Sequence, residues 1–322
     1  MRWLQKLFAN KPECRGIVGI SFLPMGIAIA IANYSGNGTL RLICCQFIPG
    51  ADNQSWQRSL DAIIDQYTLA HYDCHLVLNH GHYQRINIDA PAVPDGEISE
   101  AIRWKINDLI EFPLDKAVID FYPSPPAKRA NSAQMLEVIA CSSDQIELQA
   151  EKCINAGLQL KVIDIQETVL RNLAALLPEN HRGIAILHLL EATGTILIEK
   201  DSTIYLSRQF DIGYKKLNLD CYGIDSTESA RQTQTQLALE IQRSLDYVES
   251  YYGIPPISGV AIIPLAEHTQ NLVDILNQHL GISTRIMDLC ALIDCDILLD
   301  DATQSLCSPV IGATLRHQIS LA

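Results

Sequence analysis

The same succession of elements occurs twice in this chain. Residues 16–32 and 38–48 are apolar stretches joined by the turn-forming Asn33-Tyr34-Ser35-Gly36-Asn37, which predicts a β hairpin of two strands. Residues 55–69 then place Trp56, Leu60, Ile63, Ile64 and Tyr67 at helical spacing, and a short strand begins at 75–78. Past the middle, residues 183–190, 194–198 and 203–209 predict a second meander, followed by a long helix at 228–252 and a strand at 259–263. A helix at 271–280, a strand at 284–287 and a last helix around 308–317 complete the pattern. Two halves that both open on a β meander and continue with helices and further strands predict a duplicated α/β fold.

The first half is interrupted. Arg85-Ile86-Asn87-Ile88 alternates like a strand, and Pro91, Pro94 and Gly96 break it before a helix over 97–110 with Ile98, Ile102, Ile106 and Leu109 on one face. Glu111-Phe112-Pro113 is expected to stop that helix. Strands at 118–122 and 134–141 flank a polar loop with three prolines, and a helix over 143–156 ends at Gly157. A strand at 160–165 and a helix at 167–177 then return to the first pattern. The expected organisation is a tail over 1–13, a first lobe over 14–81 and 158–182, an inserted α+β subdomain over 82–157, a second lobe over 183–300 and a closing helical segment over 301–322.

Composition narrows the function classes. With 48% apolar and 19% charged residues the chain buries enough surface to fold, and a net charge of −13 opposes binding to phosphate backbones. No apolar run reaches the ~18–20 residues of a membrane-spanning helix. Residues 1–8 set Trp3, Leu4, Leu7 and Phe8 against Arg2 and Lys6, a short amphipathic pattern suited to a weak touch on an anionic membrane, and no cleavage site follows it. The expected location is the cytoplasm, at the periphery of the inner membrane. The ten cysteines lack C-x-x-C spacing and sit in apolar contexts, as reduced core thiols do.

Several motifs occur in an order that resembles one family. Ala101-Ile102-Arg103-Trp104-Lys105, Glu111-Phe112-Pro113-Leu114-Asp115 and Val118-Ile119-Asp120-Phe121 are similar to PilM-like type IV pilus assembly proteins. Ala156-Gly157-Leu158, Val162-Ile163-Asp164-Ile165-Gln166 with Leu170-Arg171-Asn172-Leu173, and residues 239–247 (Leu-Glu-Ile-Gln-Arg-Ser-Leu-Asp-Tyr) continue the resemblance. It implies an actin/Hsp70-like pair of α/β lobes, as in FtsA, with a small subdomain inserted in the first lobe and a carboxyl-terminal helix returning to that lobe. It also implies a scaffold whose partner is an inner-membrane protein of the PilN type, bound by its cytoplasmic tail; self-association stays open.

An actin-like fold holds ATP phosphates on two β-hairpin turns, with Asp residues positioning Mg²⁺ and water. Where the resemblance calls for Gly-Ile-Asp-Ile-Gly, this chain reads Gly19-Ile20-Ser21-Phe22-Leu23, and Pro24 removes an amide donor before Gly26. The second turn, expected as Asp-Ile-Gly, reads His188-Leu189-Leu190 with Glu191 beside it, whose charge would oppose a polyphosphate. The adenosine-binding strand end reads Ile263-Pro264-Leu265 with no glycine. Gly194, Gly213 and Gly312 persist as small residues. The expected site is therefore degenerate, its cleft empty or blocked, with no catalytic residue and ATP disfavoured as a cofactor. The alternative is an ATP-binding switch or polymerising protein.

Other constellations have plainer readings. His71, Cys74, His75, His80 and His82 flank a strand that would carry them apart, so no metal is expected. Asp294, Asp296, Asp300 and Asp301 lack the glycine and terminal Glu of a calcium loop and read as a solvated acidic segment. No G-x-S-x-G elbow or catalytic cysteine signature occurs. The candidates for partner binding are Arg103, Trp104 and Phe112 of the insert.

Overall fold

A computed structural model describes residues 14–35, 39–50, 53–129, 133–220 and 228–316. The amphipathic pattern of residues 1–8, Cys221, most of the predicted turn after Ser35 and the end of the last predicted helix lie outside them. The first sheet takes β1 (Gly16–Leu23), β2 (Gly26–Tyr34) and β3 (Leu40–Pro49) as an antiparallel meander. Helix α1 (Asn53–Tyr67) leads to β4 (Tyr72–Leu78), which lies parallel to β1. The chain then forms a separate antiparallel sheet, β5 (Gln84–Asp89), β6 (Ala117–Pro123) and β7 (Met135–Ser142), in the order β5-β7-β6 and covered by α2 (Ile98–Ile106). Helix α3 (Ser143–Asn155) returns it to β8 (Gln159–Ile165), giving the order β3-β2-β1-β4-β8, and α4 (Gln166–Ala174) follows.

The second half repeats this order. Strands β9 (Ile184–Leu189), β10 (Gly194–Lys200) and β11 (Thr203–Phe210) form the meander; α5 (Tyr214–Leu217) and α6 (Glu228–Tyr252) lead to β12 (Gly259–Ile262), and α7 (Thr269–His279) to β13 (Ser283–Ile286). The sheet runs β11-β10-β9-β12-β13, the order of the first sheet element for element. A short α8 (Leu289–Leu292) and α9 (Asp301–Thr314) close the chain. Among the described residues no helix is long and apolar enough to cross a membrane.

Two helices cross over between the halves. Helix α9 follows the second sheet in sequence yet packs on β1 to β4, while α4 follows the first sheet and packs on β9 to β11. The two helices also pack on each other, so one apolar core contains Ala30 and Val77 of the first sheet, Leu170 and Leu173 of α4, Ile186 and Leu197 of the second sheet, and Val310 and Ile311 of α9. Contact is at backbone distance: a Cβ on Gly312 would stand 2.3 Å from the Val169 carbonyl oxygen, and one on Gly19 2.2 Å from that of Val310.

Helix α9 also carries Pro309 in its interior, which removes the amide that would have bonded to the Ser305 carbonyl. His188 donates from Nε2 to that oxygen at 3.1 Å. Burial pushes the His188 imidazole down to about 4, so at neutral pH it is an uncharged donor. At the other end of the helix, Asn172 donates to Gly312 O at 3.0 Å and His75 Nδ1 to Ala313 O at 2.9 Å. Carbonyls that a kinked or ending helix leaves open are thus taken by side chains from both sheets and from α4.

Three expectations are corrected and a fourth is extended. The apolar run 16–32 is two strands, because Pro24 and Met25 form a two-residue turn with Leu23 paired to Gly26; both strands are buried on both faces, which hides the break from a hydrophobicity pattern. Helix α2 ends at Ile106, short of Pro113, where Asn107 and Asp108 bond to each other (2.7 Å) as turn-forming side chains do, and Leu109 is left 53% exposed. Helix α9 starts at Asp301, not near Ser308: Asp300 caps it by accepting from Thr303 N at 2.7 Å, and Ser308-Pro309 lies mid-helix. The acidic segment is solvent-exposed as read, but it also has a structural part: Asp294 and Asp296 pair with Arg41 at 3.0 and 3.1 Å while the 294–296 backbone bridges to Leu42, covering the edge of β3.

Two outcomes follow for stability. Gly312→Ala is expected to destabilise the protein by about 2 kcal/mol or more, since a backbone oxygen cannot yield as a side chain does. Gly96→Ala, whose Cβ meets nothing within 4 Å, is the neutral control in denaturant unfolding. Glu199 of β10 is fully buried with no hydrogen-bond partner on either carboxylate oxygen, and burial pushes it up from 4.5 to about 8. The folded state therefore holds a proton that the unfolded chain releases; the contribution of Glu199 to stability is fully present below pH 4.5, falls by on the order of a few kcal/mol as pH rises to about 8, and levels off above. Glu199→Gln should remove that slope when unfolding curves at pH 5, 7 and 9 are compared with wild type.

Candidate functional site

A cleft of about 560 Å³ lies where the β1–β2 turn of the first lobe faces the β9–β10 turn of the second. These are the two turns on which the expected phosphate motifs fall. In the first, Ser21 is buried and its hydroxyl donates to Val77 O at 2.9 Å and contacts Asn79 Oδ1 at 3.2 Å, fixing it against the end of β4. Asn79 in turn donates to Phe22 O at 2.6 Å. Leu23 lines the cleft, and Gly26 has a positive φ of 153° with the Ile48 carbonyl oxygen 2.1 Å from where its Cβ would be. Only glycine fits there.

The second turn faces away from phosphate chemistry in the same manner. His188 lines the cleft but its donor is held by Ser305 O, and Leu190 closes the turn by donating its amide to Thr193 O at 2.8 Å. Glu191 projects outward to an exposed ion pair with Lys215. Gly194 begins β10 opposite Leu189, and Gly213 precedes α5 with its Cα against the Glu191 carbonyl. Pro264 is buried beyond β12, where Thr269 ties the turn by accepting from Leu265 N at 2.9 Å. Gly312 packs between helices, near the end of α9, outside the cleft.

The expectation of a blocked cleft fails in one respect. Leu23, Pro24 and Leu190 stand on its walls and leave the space open. Its chemistry is unusual for so acidic a chain: among the described residues lining it there is no Asp or Glu, whereas Lys152, His80, His82 and His188 are there. Beside it lies a buried junction of three elements. Glu167 of α4, fully buried, accepts from Tyr83 Oη at 2.6 Å and from Arg85 Nη1 at 3.0 Å. Arg85 on β5 also bonds to Glu137 on β7 and to Ser207 O on β11. His80 contacts Tyr83 Oη at 3.2 Å and Thr195 Oγ1 at 3.3 Å. One buried carboxylate thus ties the insert to both lobes, and removing a partner would leave it uncompensated.

Of the insert's three candidates, Arg103 donates to Leu114 O at 2.6 Å and Ala117 O at 3.0 Å, fastening α2 to the start of β6. Phe112 packs against the insert's own core of Ile88, Ile102, Ile106 and Val138. Trp104 is 70% exposed. Val118 on β6, an edge strand, is also exposed. Val118 alternates with Ile119 and Phe121, which pack under α2, so it lies on the opposite face of the sheet from Trp104.

The histidine cluster is dispersed by β4. His75 points into the interior toward α9, and His80 and His82 reach the cleft. Among the described residues no three His, Cys, Asp or Glu side chains converge as metal ligands. Sequence patterns missed the Tyr83–Arg85–Glu167 junction and Lys152, because single polar residues on strands and helices have no spacing signature, and the partners within the junction come from 52 to 122 positions away.

Comparison with known proteins accords with this architecture. The family model described as type IV pilus assembly protein PilM matches residues 58–236, more than half of the chain. Among solved structures, the PilM-PilN type IV pilus biogenesis complex superposes with a TM-score of 0.69 at 17% identity, over 95% of this chain and 99% of that one. The cytoplasmic domain of EpsL, an inner membrane component of the type II secretion system of Vibrio cholerae, gives 0.50 at 12% identity, over 95% of both chains. A protein of unknown function with an actin-like ATPase fold from Bacteroides thetaiotaomicron gives 0.49 at 8%, over 85% of this chain and 91% of that one. No curated protein matches by sequence. The fold is the duplicated actin-like one, and the chain belongs to the PilM family of type IV pilus assembly proteins.

Proposed function

We propose that this protein is a non-enzymatic adaptor of a pilus assembly machine, bound from the cytoplasm to the tail of an inner-membrane protein and independent of nucleotide. The observation that carries the reading is the fate of the two turns. Ser21 and His188, standing where metal-positioning carboxylates would be needed, direct their donors to Val77 O and Ser305 O inside the protein. Among the described residues no other carboxylate lines the cleft to replace them. A metal-bound triphosphate has nothing there to hold its cation. Erosion of these motifs is also why, within the family, the chain is read as a member of the MSHA-pilus biogenesis branch, of which MshI is the type.

The partner's tail is assigned to the insert. Strand β6 is an edge, so an extended peptide adds to it through main-chain hydrogen bonds while Val118 on one face of the sheet and Trp104 of α2 on the other supply exposed apolar contacts. A protein of the same fold, PilM, forms a type IV pilus biogenesis complex with PilN, which supports a partner of that type here. Peripheral attachment to the inner membrane follows from this partner and needs no spanning helix.

In titrations with a synthetic peptide of the PilN-type partner's cytoplasmic tail, Trp104→Ala and Val118→Asp should each weaken binding about tenfold or more, as hot-spot truncations do. Their circular dichroism should match wild type, because both side chains are exposed. Binding that is absent in the wild type, or present only with ATP, would remove the adaptor reading in favour of the nucleotide switch. The double change Ser21→Asp with Leu23→Gly is expected to produce no ATP hydrolysis in a phosphate-release assay, since His188 and Pro264 remain.

A further inference from the structure

The cleft that has lost its carboxylates has kept a cation. Lys152, on α3, reaches it with its ammonium 4.9 Å from the centre of the Phe22 ring and 3.0 Å from Gln149 Oε1. Among the described residues no carboxylate pairs with it, in a chain whose acidic residues outnumber its Lys and Arg 37 to 24. Burial lowers the Lys152 amine, and burial together with Lys152 lowers His82, so two basic groups face one space without a counter-charge. His82 Nδ1 is buried and without a hydrogen-bond partner. Gln149, itself 6% exposed, is held beside Lys152 on the same wall. The lining also includes the apolar Trp56, Leu190 and Leu306. At about 560 Å³ the space is of ligand-binding size, and it combines an apolar wall with a few polar groups.

We propose that the cleft binds a small organic anion without a divalent cation, its charged head on Lys152 and His82 and its apolar body against Trp56 and Leu190. A partly buried ammonium is stabilised by an anion that accepts its hydrogen bonds, and among the described residues lining the cleft no Asp or Glu stands to repel that anion or to recruit a metal. The proposal goes beyond the adaptor reading and does not depend on it.

The test is calorimetry on the full chain with phenyl phosphate, inorganic pyrophosphate and ATP, each in EDTA and again in excess Mg²⁺. Phenyl phosphate is expected to bind in EDTA with an affinity that Mg²⁺ does not improve. Lys152→Met should weaken it about tenfold or more, the loss of one charge-assisted hydrogen bond. Gln149→Glu, which places a carboxylate beside the ammonium, should do the same while leaving Lys152 in place, and keeps the test decisive if Lys152→Met fails to fold. No binding of any of the three in EDTA, or equal affinity in wild type and both folded variants, overturns the proposal and leaves the adaptor reading standing. ATP binding that requires Mg²⁺ overturns both.

Discussion

Everything in this fold depends on how α9 is held between the two sheets. It is a helix with a proline in its ninth position, so its hydrogen-bond ladder is broken where it lies deepest in the protein. A buried carbonyl without a partner costs ~1–3 kcal/mol. His188 removes that cost for Ser305, and His75 and Asn172 serve the open carbonyls at the helix end. The glycines at 19 and 312 let the neighbouring backbones close to contact distance around it. Helices α4 and α9, exchanged between the halves, make a single core of what sequence presents as two lobes.

This arrangement has consequences for function. His188 sits on a turn where an actin-like ATPase needs a carboxylate, and here the residue is part of the scaffold of α9. A residue committed to the kink is unavailable to a nucleotide. The Tyr83–Arg85–Glu167 junction also joins the insert to β11 of the second lobe. Loop residue Lys128 adds a further tie, its amide bonded to Tyr251 O at 2.9 Å at the end of α6. A body fastened at these points suits a rigid adaptor that presents an edge strand to a partner.

Much of the fold was legible in the residues. The long helix 228–252, bounded by its own amphipathic period, and the second meander were readable because each strand ends at a glycine or a polar turn. The break at Pro24 was hidden since β1 and β2 are buried on both faces and show no alternation. Ser308-Pro309 has the form of a helix start, and the cap at Asp300 together with the bond from His188, 117 positions upstream of Ser305, makes it a helix interior. The erosion of the phosphate turns was legible as motif loss; what replaced it was not. Ser21 and His188 acquire their roles from partners distant in sequence, and Lys152 resembles any solvated helical lysine until α3 is placed beside the cleft. Likewise Phe112 and Trp104 are equal candidates as letters, and the fold separates them into a core residue and an exposed one.

The claim that partner capture and the inter-lobe cleft are separate is best tested by hydrogen–deuterium exchange of the full chain with and without the partner's tail peptide, in nucleotide-free buffer. The account predicts slowed exchange in β6 and in α2, with the turns at 23–26 and 190–194 unchanged. Slowed exchange at those two turns on peptide binding, or protection of β6 that appears only after Mg²⁺ and ATP are added, would contradict it.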